Sequence, residues 1–408
     1  MKAVVFHGIG DIRLENVSEP QLKEPTDAIV RLTMSAICGT DLHMVRGTMG
    51  DMKPGTILGH EGVGVVEEVG KAVRNLRKGD RVVIPSTIAC GSCSYCRAGY
   101  YSQCDKANPT GKDAGTAFFG GPKSTGPVQG LQAEYARVPF ANVGLVKLPN
   151  EVTDDQAILV SDIFPTGYFG ADLADIHEGS TVAVFGCGPV GQFTIASAKL
   201  MNAGRVIAID RVESRLENAR KQGAEAINFE EDDPVEAIME LTSGIGVDRA
   251  IDAVGIDAQH PDKGPAHERA KDREFEQQVK KVAPEQNPKK GNWRPGNAPS
   301  QVLEWIVKST AKAGTLSIIG VYSDQMNVFP IGAAMNKNLA VHMGNCNHKK
   351  YVPKLVDLIR AGYVDPLDVM SPKIEPLQSA LDAYQAFDLR QPGWMKVELR
   401  LRSAAAVA

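Results

Sequence analysis

Short runs of alternating or wholly apolar residues fill the first part of the chain: Lys2–Phe6, Ala28–Ser35, Gly62–Val69, Arg81–Pro85 and Ala133–Val138. Glycine and proline interrupt them at short intervals, so residues 1 to about 150 predict a β-rich region with little helix. Near residue 155 the texture changes. Strands are expected at Thr181–Gly186, Arg205–Asp210, Ala226–Asn228, Arg249–Val254, Thr315–Val321 and Leu339–Met343. Helical spacing fills most of the gaps, at Pro189–Met201, Ser214–Gln222 and Pro234–Thr242. That alternation predicts an α/β fold with a parallel, doubly wound sheet. Two helices, Tyr351–Ala361 and Gln378–Phe387, then lead to a strand at Met395–Leu401 that returns to the first domain.

One segment breaks the pattern. From Asp257 to Pro299 the chain carries sixteen charged side chains and prolines at 261, 265, 284, 288 and 295. Its apolar residues are few, chiefly Phe275, Val279, Val282 and Trp293, and such a stretch is expected to bury no core of its own. It reads as an insertion in the second domain. It would serve as a flap with Trp293 or Phe275 as its apolar contact, as a subunit arm, or as a solvated loop.

Composition narrows the class. A chain of 408 residues is too long for one core and implies two domains. An apolar content of 43% and a net charge of −4 fit a soluble globular protein and give no reason to expect nucleic acid. No run approaches the roughly 18 apolar residues of a membrane span, and the N-terminus enters directly into a strand pattern. Seven cysteines, four of them between Cys90 and Cys104, suit metal binding in a reducing cytoplasm better than disulfides.

Candidate chemistry concentrates in three places. Cys38-Gly-Thr-Asp-Leu-His43 and Gly59-His60-Glu61-Gly62 offer a thiol, imidazoles and carboxylates among small and apolar residues, with Thr40 between the thiol and His43. Those are zinc ligand types, and a catalytic zinc needs three protein ligands and one open position. Gly64 and Gly70 flank a strand that must approach other backbone closely. The third ligand must come from elsewhere, and Asp162, where the two regions of the chain meet, is the candidate; its alternative use is as a helix N-cap before Ile163. Glu61 would be a partner of the ligands or a transient ligand.

The second place is Cys90, Cys93, Cys96 and Cys104, spaced Cys-x2-Cys-x2-Cys-x7-Cys. Four thiolates on one loop can close a structural zinc shell. An iron–sulfur cluster is the alternative, but no proline follows the fourth cysteine and no second set exists. The third place is Gly186-Cys-Gly188-Pro189-Val190-Gly191, which follows a buried strand and opens a helix, as a dinucleotide pyrophosphate site requires. Asp210 ends the next strand, where a carboxylate accepts bonds from ribose hydroxyls and repels a 2′-phosphate, so NAD is expected before NADP. Arg211 blurs that preference, Arg215 bonds the ribose edge or faces solvent, and Val254 closes the cofactor set.

With these motifs the chain resembles the zinc-containing medium-chain alcohol dehydrogenases over nearly its whole length. The wordings Cys-Gly-Thr-Asp-Leu-His-Met-Val-Arg-Gly and Ser-Asp-Ile-Phe-Pro-Thr-Gly-Tyr are most similar to the glutathione-independent formaldehyde dehydrogenase and aldehyde dismutase branch. The resemblance implies a GroES-like catalytic domain over residues 1–163 and 346–408, with the structural zinc lobe near 88–106. It implies a Rossmann NAD-binding domain over 164–345, carrying the insertion at 257–299. It further implies two Zn²⁺ per chain and a catalytic zinc on Cys38, His60 and Asp162. Asp162 stands where the alcohol dehydrogenases carry cysteine and the formaldehyde branch carries aspartate. Thr40 would take the substrate proton and pass it through the nicotinamide ribose to His43.

The expected activity is hydride transfer between NAD and a primary alcohol or a hydrated aldehyde, formaldehyde included. Secondary alcohol, polyol or threonine dehydrogenation is the alternative within enzymes, and a non-catalytic nucleotide-binding protein the alternative outside them. The expected assembly is a homo-oligomer, a tetramer before a dimer, with neither nucleic acid nor membrane as partner.

Overall fold

The computed structural model describes residues 1–110, 115–268 and 271–401. The chain divides into two compact units. One comprises Met1–Pro165, Asn287–Trp293 and the chain from Cys346 onward; the other comprises Thr166–Gln286 and Arg294–Asn345.

The first unit is built on two sheets. A three-stranded antiparallel sheet sets Lys2–Gly8 between Asp11–Asn16 and Thr56–Ile57. A seven-stranded sheet runs Lys373–Pro376, Val397–Arg400, Ala28–Ile37, Gly62–Val69, Arg81–Ile84 and Val146–Lys147, with Tyr135–Val138 also paired to Ala28–Ile37. The close approach expected of Gly64 is real. A β-carbon there would lie 2.3 Å from the Arg31 carbonyl oxygen, so any other residue would push apart the two strands that carry the site.

Two helices in this unit position candidate site residues, one of them, Gly39–Arg46, inside the region expected to be β-rich. Gly39–Arg46 is a helix whose start is fixed by Asp41, which accepts the Cys38 N–H at 2.9 Å, and whose end is the left-handed Gly47. It is short, and six consecutive residues from Asp41 to Arg46 are buried, so it has no apolar stripe for periodicity to reveal. Asp154–Ser161 starts with a capping box, Thr153 to Gln156, and Asp162 follows it as the C-terminal cap, directly before the helix Ile163–Leu173.

The second unit is a six-stranded, all-parallel sheet. Its order is Glu225–Asn228, Arg205–Asp210, Thr181–Phe185, Val247–Asp252, Thr310–Ile318, Ala340–Met343. The central strands feed two cores. Ala183, Phe185, Ile207 and Ile209 pack on one face, while Val182, Val184, Val206 and Ala208 pack on the other. That explains the unbroken apolar runs in the sequence. The fifth strand begins at Thr310 rather than Thr315, with a register break against Val247–Arg249 where Ala313 takes a positive φ of 59°.

The charged insertion is more ordered than its composition suggests. Asp272–Val282 is a helix, and Phe275, Val279 and Val282 fall at spacings four and three, on one face. Phe275 packs against His260 with ring centroids 5.2 Å apart. Residues 287–293 belong to the first unit. Asn287 donates to the Ile9 carbonyl at 2.8 Å, Lys289 to the Gly10 carbonyl at 2.9 Å, and the Trp293 N–H to Asp388 at 2.9 Å. Trp293 is buried in the first unit's core, so it is not the apolar tip of a nucleotide flap. Among the described residues no helix is long and apolar enough to cross a membrane.

Candidate metal and cofactor sites

The first unit brings Cys38, His60, Glu61 and Asp162 together, with one potential donor atom from each within 4.8 Å of the others. Cys38 ends the strand Ala28–Ile37 and opens the helix Gly39–Arg46; His60 and Glu61 precede the strand Gly62–Val69; Asp162 terminates Asp154–Ser161. Asp162 Oδ2 lies 3.6 Å from Cys38 Sγ and 3.6 Å from His60 Nε2. A tetrahedral zinc with bonds of 2.0–2.3 Å sets neighbouring sulfur, nitrogen and oxygen ligands about 3.3–3.7 Å apart, so this triad fits the metal.

The surroundings orient each donor. His60 Nδ1 is 3.3 Å from Asp41 Oδ1, which turns Nε2 toward Asp162. Gln132 donates to Asp41 Oδ2 at 3.2 Å and accepts the Tyr384 hydroxyl at 2.8 Å. Lys396, wholly buried, donates to Glu61 Oε1 at 2.5 Å and to the Ile37 carbonyl at 3.1 Å. Glu61 Oε2 has no hydrogen-bond partner among the described residues, although it is buried in the donor cluster. An orphaned carboxylate oxygen there is what a site built for a cation leaves.

Titration follows from burial and neighbours. Burial pushes the Asp162 carboxyl up, but bonds from His348 and His60 outweigh it and hold the group well below the usual carboxylate range. For His60 burial acts downward, and the charges of Asp41 and Cys38 overcome it, raising the imidazole. Burial raises the Cys38 thiol. Lys396 stays protonated: burial lowers it, but the Glu61 carboxylate raises it further.

Thr40 and His43 share the helix Gly39–Arg46, and His43 is buried rather than a surface imidazole. Its Nδ1 is 2.9 Å from Thr48 Oγ1, and the Thr48 hydroxyl donates to the His43 carbonyl at 3.3 Å. Thr48 thus holds the Nδ1 side of the His43 ring.

Cys90, Cys93, Cys96 and Cys104 likewise converge, all four thiols within the same 4.8 Å limit. Cys93 and Cys104 sulfurs are 3.9 Å apart, close to the separation of about 3.8 Å in a tetrahedral Cys₄ zinc shell. Burial raises Cys90, but Ser92 and the backbone N–H groups of Ser92 and Cys93 bring it down to about 6, so this thiol favours the thiolate, while burial raises Cys96 and Cys104.

In the second unit the glycine loop sits at the carboxyl end of Thr181–Phe185. Gly188 caps the helix Pro189–Leu200, which includes Val190, and Pro189 takes its first position. A β-carbon on Gly191 would fall 1.8 Å from the Gly186 carbonyl oxygen, so helix and loop touch there as the motif requires. Val254 packs against Gly186. Asp210 accepts from the Cys187 N–H at 2.8 Å and from Arg211 and Val212 N–H at 2.7 and 2.9 Å, with Arg215 Nη1 3.8 Å away. It therefore fixes the loop. Arg211 is paired with Glu230 at 2.9 Å and with Asp262.

Sequence reasoning missed His348, Lys396 and the orienting role of Asp41. His348 Nε2 is 2.9 Å from Asp162 Oδ1, and its Nδ1 is 3.2 Å from both Thr87 Oγ1 and the Cys346 carbonyl. No motif joins His348 to Asp162, 186 residues away, whereas the Asp in Cys-Gly-Thr-Asp was on view.

The chain is similar to known proteins over nearly its whole length. The chain matches the alcohol dehydrogenase GroES-like domain over residues 24–150 and the zinc-binding dehydrogenase model over residues 189–261. It is 37% identical over 404 residues to an uncharacterized zinc-type alcohol dehydrogenase-like protein, AdhB, of Bacillus subtilis, covering 98% of this chain and 100% of that one. It is 32% identical over 415 residues to the glutathione-independent formaldehyde dehydrogenase of Pseudomonas aeruginosa, covering 96% of each. Among solved structures, alcohol dehydrogenase TADH from Thermus sp. ATN1 matches with a TM-score of 0.82 at 32% identity, covering 98% of this chain and 100% of that chain.

Proposed function

The chain belongs to the zinc-containing medium-chain alcohol dehydrogenases and is an alcohol dehydrogenase enzyme; from that premise we propose that it moves a hydride between NAD and a primary alcohol or hydrated aldehyde. The observation that carries the reading is the buried convergence of Cys38, His60 and Asp162, with Asp162 Oδ2 at ligand spacing from both others. Cys38 as thiolate, His60 through Nε2 and Asp162 through Oδ2 would hold the catalytic zinc. The chemistry zinc supplies there is Lewis acidity toward a substrate oxygen, while NAD supplies the hydride acceptor.

The chain's own residues do the rest. An oxygen ligand in place of a thiolate gives the site less donated charge, which favours ionisation of a substrate hydroxyl. Thr40 Oγ1 takes up the proton, and His43, held on its Nδ1 side by Thr48, receives it. Lys396 holds Glu61 through Oε1, so that Glu61 balances the site's charge without displacing a ligand. Cys90, Cys93, Cys96 and Cys104 would hold a second, structural zinc.

Cofactor choice follows from charge. Asp210 is placed to meet the ribose hydroxyls, and Arg211 is already neutralised by Glu230 and Asp262, so its guanidinium is not spare for a 2′-phosphate. Both features favour NAD over NADP. Formaldehyde belongs among the candidate substrates because Asp162 occupies the ligand position and the Pseudomonas relative carries that name. The same reading includes a cytoplasmic homotetramer, which light scattering tests.

NADH formation from formaldehyde, benzyl alcohol, a polyol and threonine, measured beside zinc per chain, tests the proposal. Turnover of the primary alcohol or aldehyde with two zinc ions per chain supports it. Preference for the polyol or threonine moves the chain to the secondary-alcohol alternative, and no turnover of any overturns the catalytic reading.

A further inference from the structure

Three buried polar groups beside the donor cluster have no part in the relay: the Glu61–Lys396 pair, Glu398 and His348. His348 touches a proposed ligand most directly. An ionised carboxylate only accepts hydrogen bonds, so at 2.9 Å His348 Nε2–H must be the donor to Asp162 Oδ1. The imidazole is itself held on its other side, with Nδ1 at 3.2 Å from Thr87 Oγ1 and from the Cys346 carbonyl. All of these groups lie in the first unit.

A carboxylate ligand raises a problem that cysteine and histidine do not. It carries two equivalent oxygens, and binding through both would fill the position a catalytic zinc keeps open for substrate. Here the two oxygens are divided: Oδ2 stands 3.6 Å from Cys38 Sγ and 3.6 Å from His60 Nε2, while Oδ1 is engaged by His348. Burial adds to the constraint, because Asp162 is buried and a carboxylate oxygen that loses its donor there is costly.

The geometry points to His348 as a positioning residue that holds Asp162 to one oxygen and so keeps the metal's fourth position open. This inference rests on Asp162 being a zinc ligand. Thr87 and the Cys346 carbonyl fix the ring that does the holding. Partners of this kind, outside the ligands, are worth roughly 10–100-fold in metal affinity.

The test uses full-length holoenzyme and two readouts besides activity. One is the rate at which a chelator removes the first zinc. The other is the visible spectrum after cobalt(II) is added back to that site, which separates four- from five-coordination. His348→Ala should release the first zinc roughly 10–100-fold faster. Its cobalt spectrum should shift toward higher coordination, while the zinc of the four-cysteine lobe stays. His348→Gln, which can still donate to Oδ1, should recover most of both signals.

Wild-type chelation and spectrum in His348→Ala would overturn the inference, and so would a lowered melting temperature with an unshifted spectrum. If His348→Ala does not fold, His348→Phe keeps the ring without the donor and is read by the same criteria. Asp162→Ala run in parallel separates the two levels. Unchanged metal retention there removes the ligand assignment itself, whereas loss in Asp162→Ala beside wild-type behaviour in His348→Ala removes only the positioning role.

Discussion

Asp210→Asn tests the cofactor loop because the structure gives this carboxylate two duties. Oδ1 accepts the Arg211 and Val212 N–H groups, and Oδ2 accepts the Cys187 N–H inside the glycine loop, at 2.7, 2.9 and 2.8 Å. Asparagine preserves the Oδ1 pair but sets an NH₂ against the Cys187 N–H, donor to donor. One charge-assisted bond is lost and a buried N–H is left unpaired, at a cost of about 1.5–3 kcal/mol. For a unit of this size each kcal/mol lowers Tm by about 2–4 °C, so a fall of about 3–12 °C is expected. NAD should also bind at least tenfold more weakly, and discrimination against NADP should shrink as the negative charge goes. Calorimetry with and without NAD, beside fluorescence titration of both dinucleotides, reads the two effects separately. An unchanged Tm would refute the loop bond, and unchanged discrimination would refute Asp210 as the charge that excludes a 2′-phosphate.

Cys96→Ser should lower the zinc content from two to one per chain and reduce soluble yield, with the Cys38 site still able to take zinc; two zinc ions retained would remove the structural assignment. Lys396→Met leaves buried Glu61 without its cation and should cost about 3–5 kcal/mol in denaturant unfolding, whereas a loss below 1 kcal/mol would show that the pair is not maintained. Glu398 is buried with neither oxygen bonded among the described residues, and burial, aided by Asp155, raises its carboxyl from 4.5 to about 8. The folded state therefore binds this proton more tightly than the unfolded state. Its contribution is complete below pH 4.5 and is lost as pH rises to about 8. Glu398→Gln should gain on the wild type across that window, by on the order of 4 kcal/mol at pH 8, and a pH-independent difference would refute the assignment.

What the sequence revealed follows from how local each feature is. The parallel sheet was legible because both faces of its central strands are covered: Val182 and Ala183 serve different cores, and the central strand Thr181–Phe185 had to be apolar on both sides. The four-cysteine lobe was legible because its ligands share one loop. Cys38 and His60 announced themselves by residue type, but the groups that aim them did not. Lys396 reaches Glu61 across 335 residues, and nothing in a lysine on a strand says it points inward. The helix carrying Thr40 and His43 was hidden because its buried residues run consecutively and show no stripe. In the insertion, Phe275, Val279 and Val282 sit among charges that outnumber them, yet their spacing makes one apolar helix face. Trp293 found its place in the other unit's core, which no local pattern encodes.

Cys38→Ser, assayed for alcohol-dependent NADH formation beside the wild type, tests the central assignment most directly. Serine keeps the size of the side chain but, not being a thiolate, is a poor partner for zinc beside His60 and Asp162. The account predicts that turnover falls below detection while the fold, NAD binding and the zinc of the four-cysteine lobe persist. Near-normal turnover in a folded Cys38→Ser protein would contradict it, and would place the catalytic metal somewhere other than Cys38, His60 and Asp162.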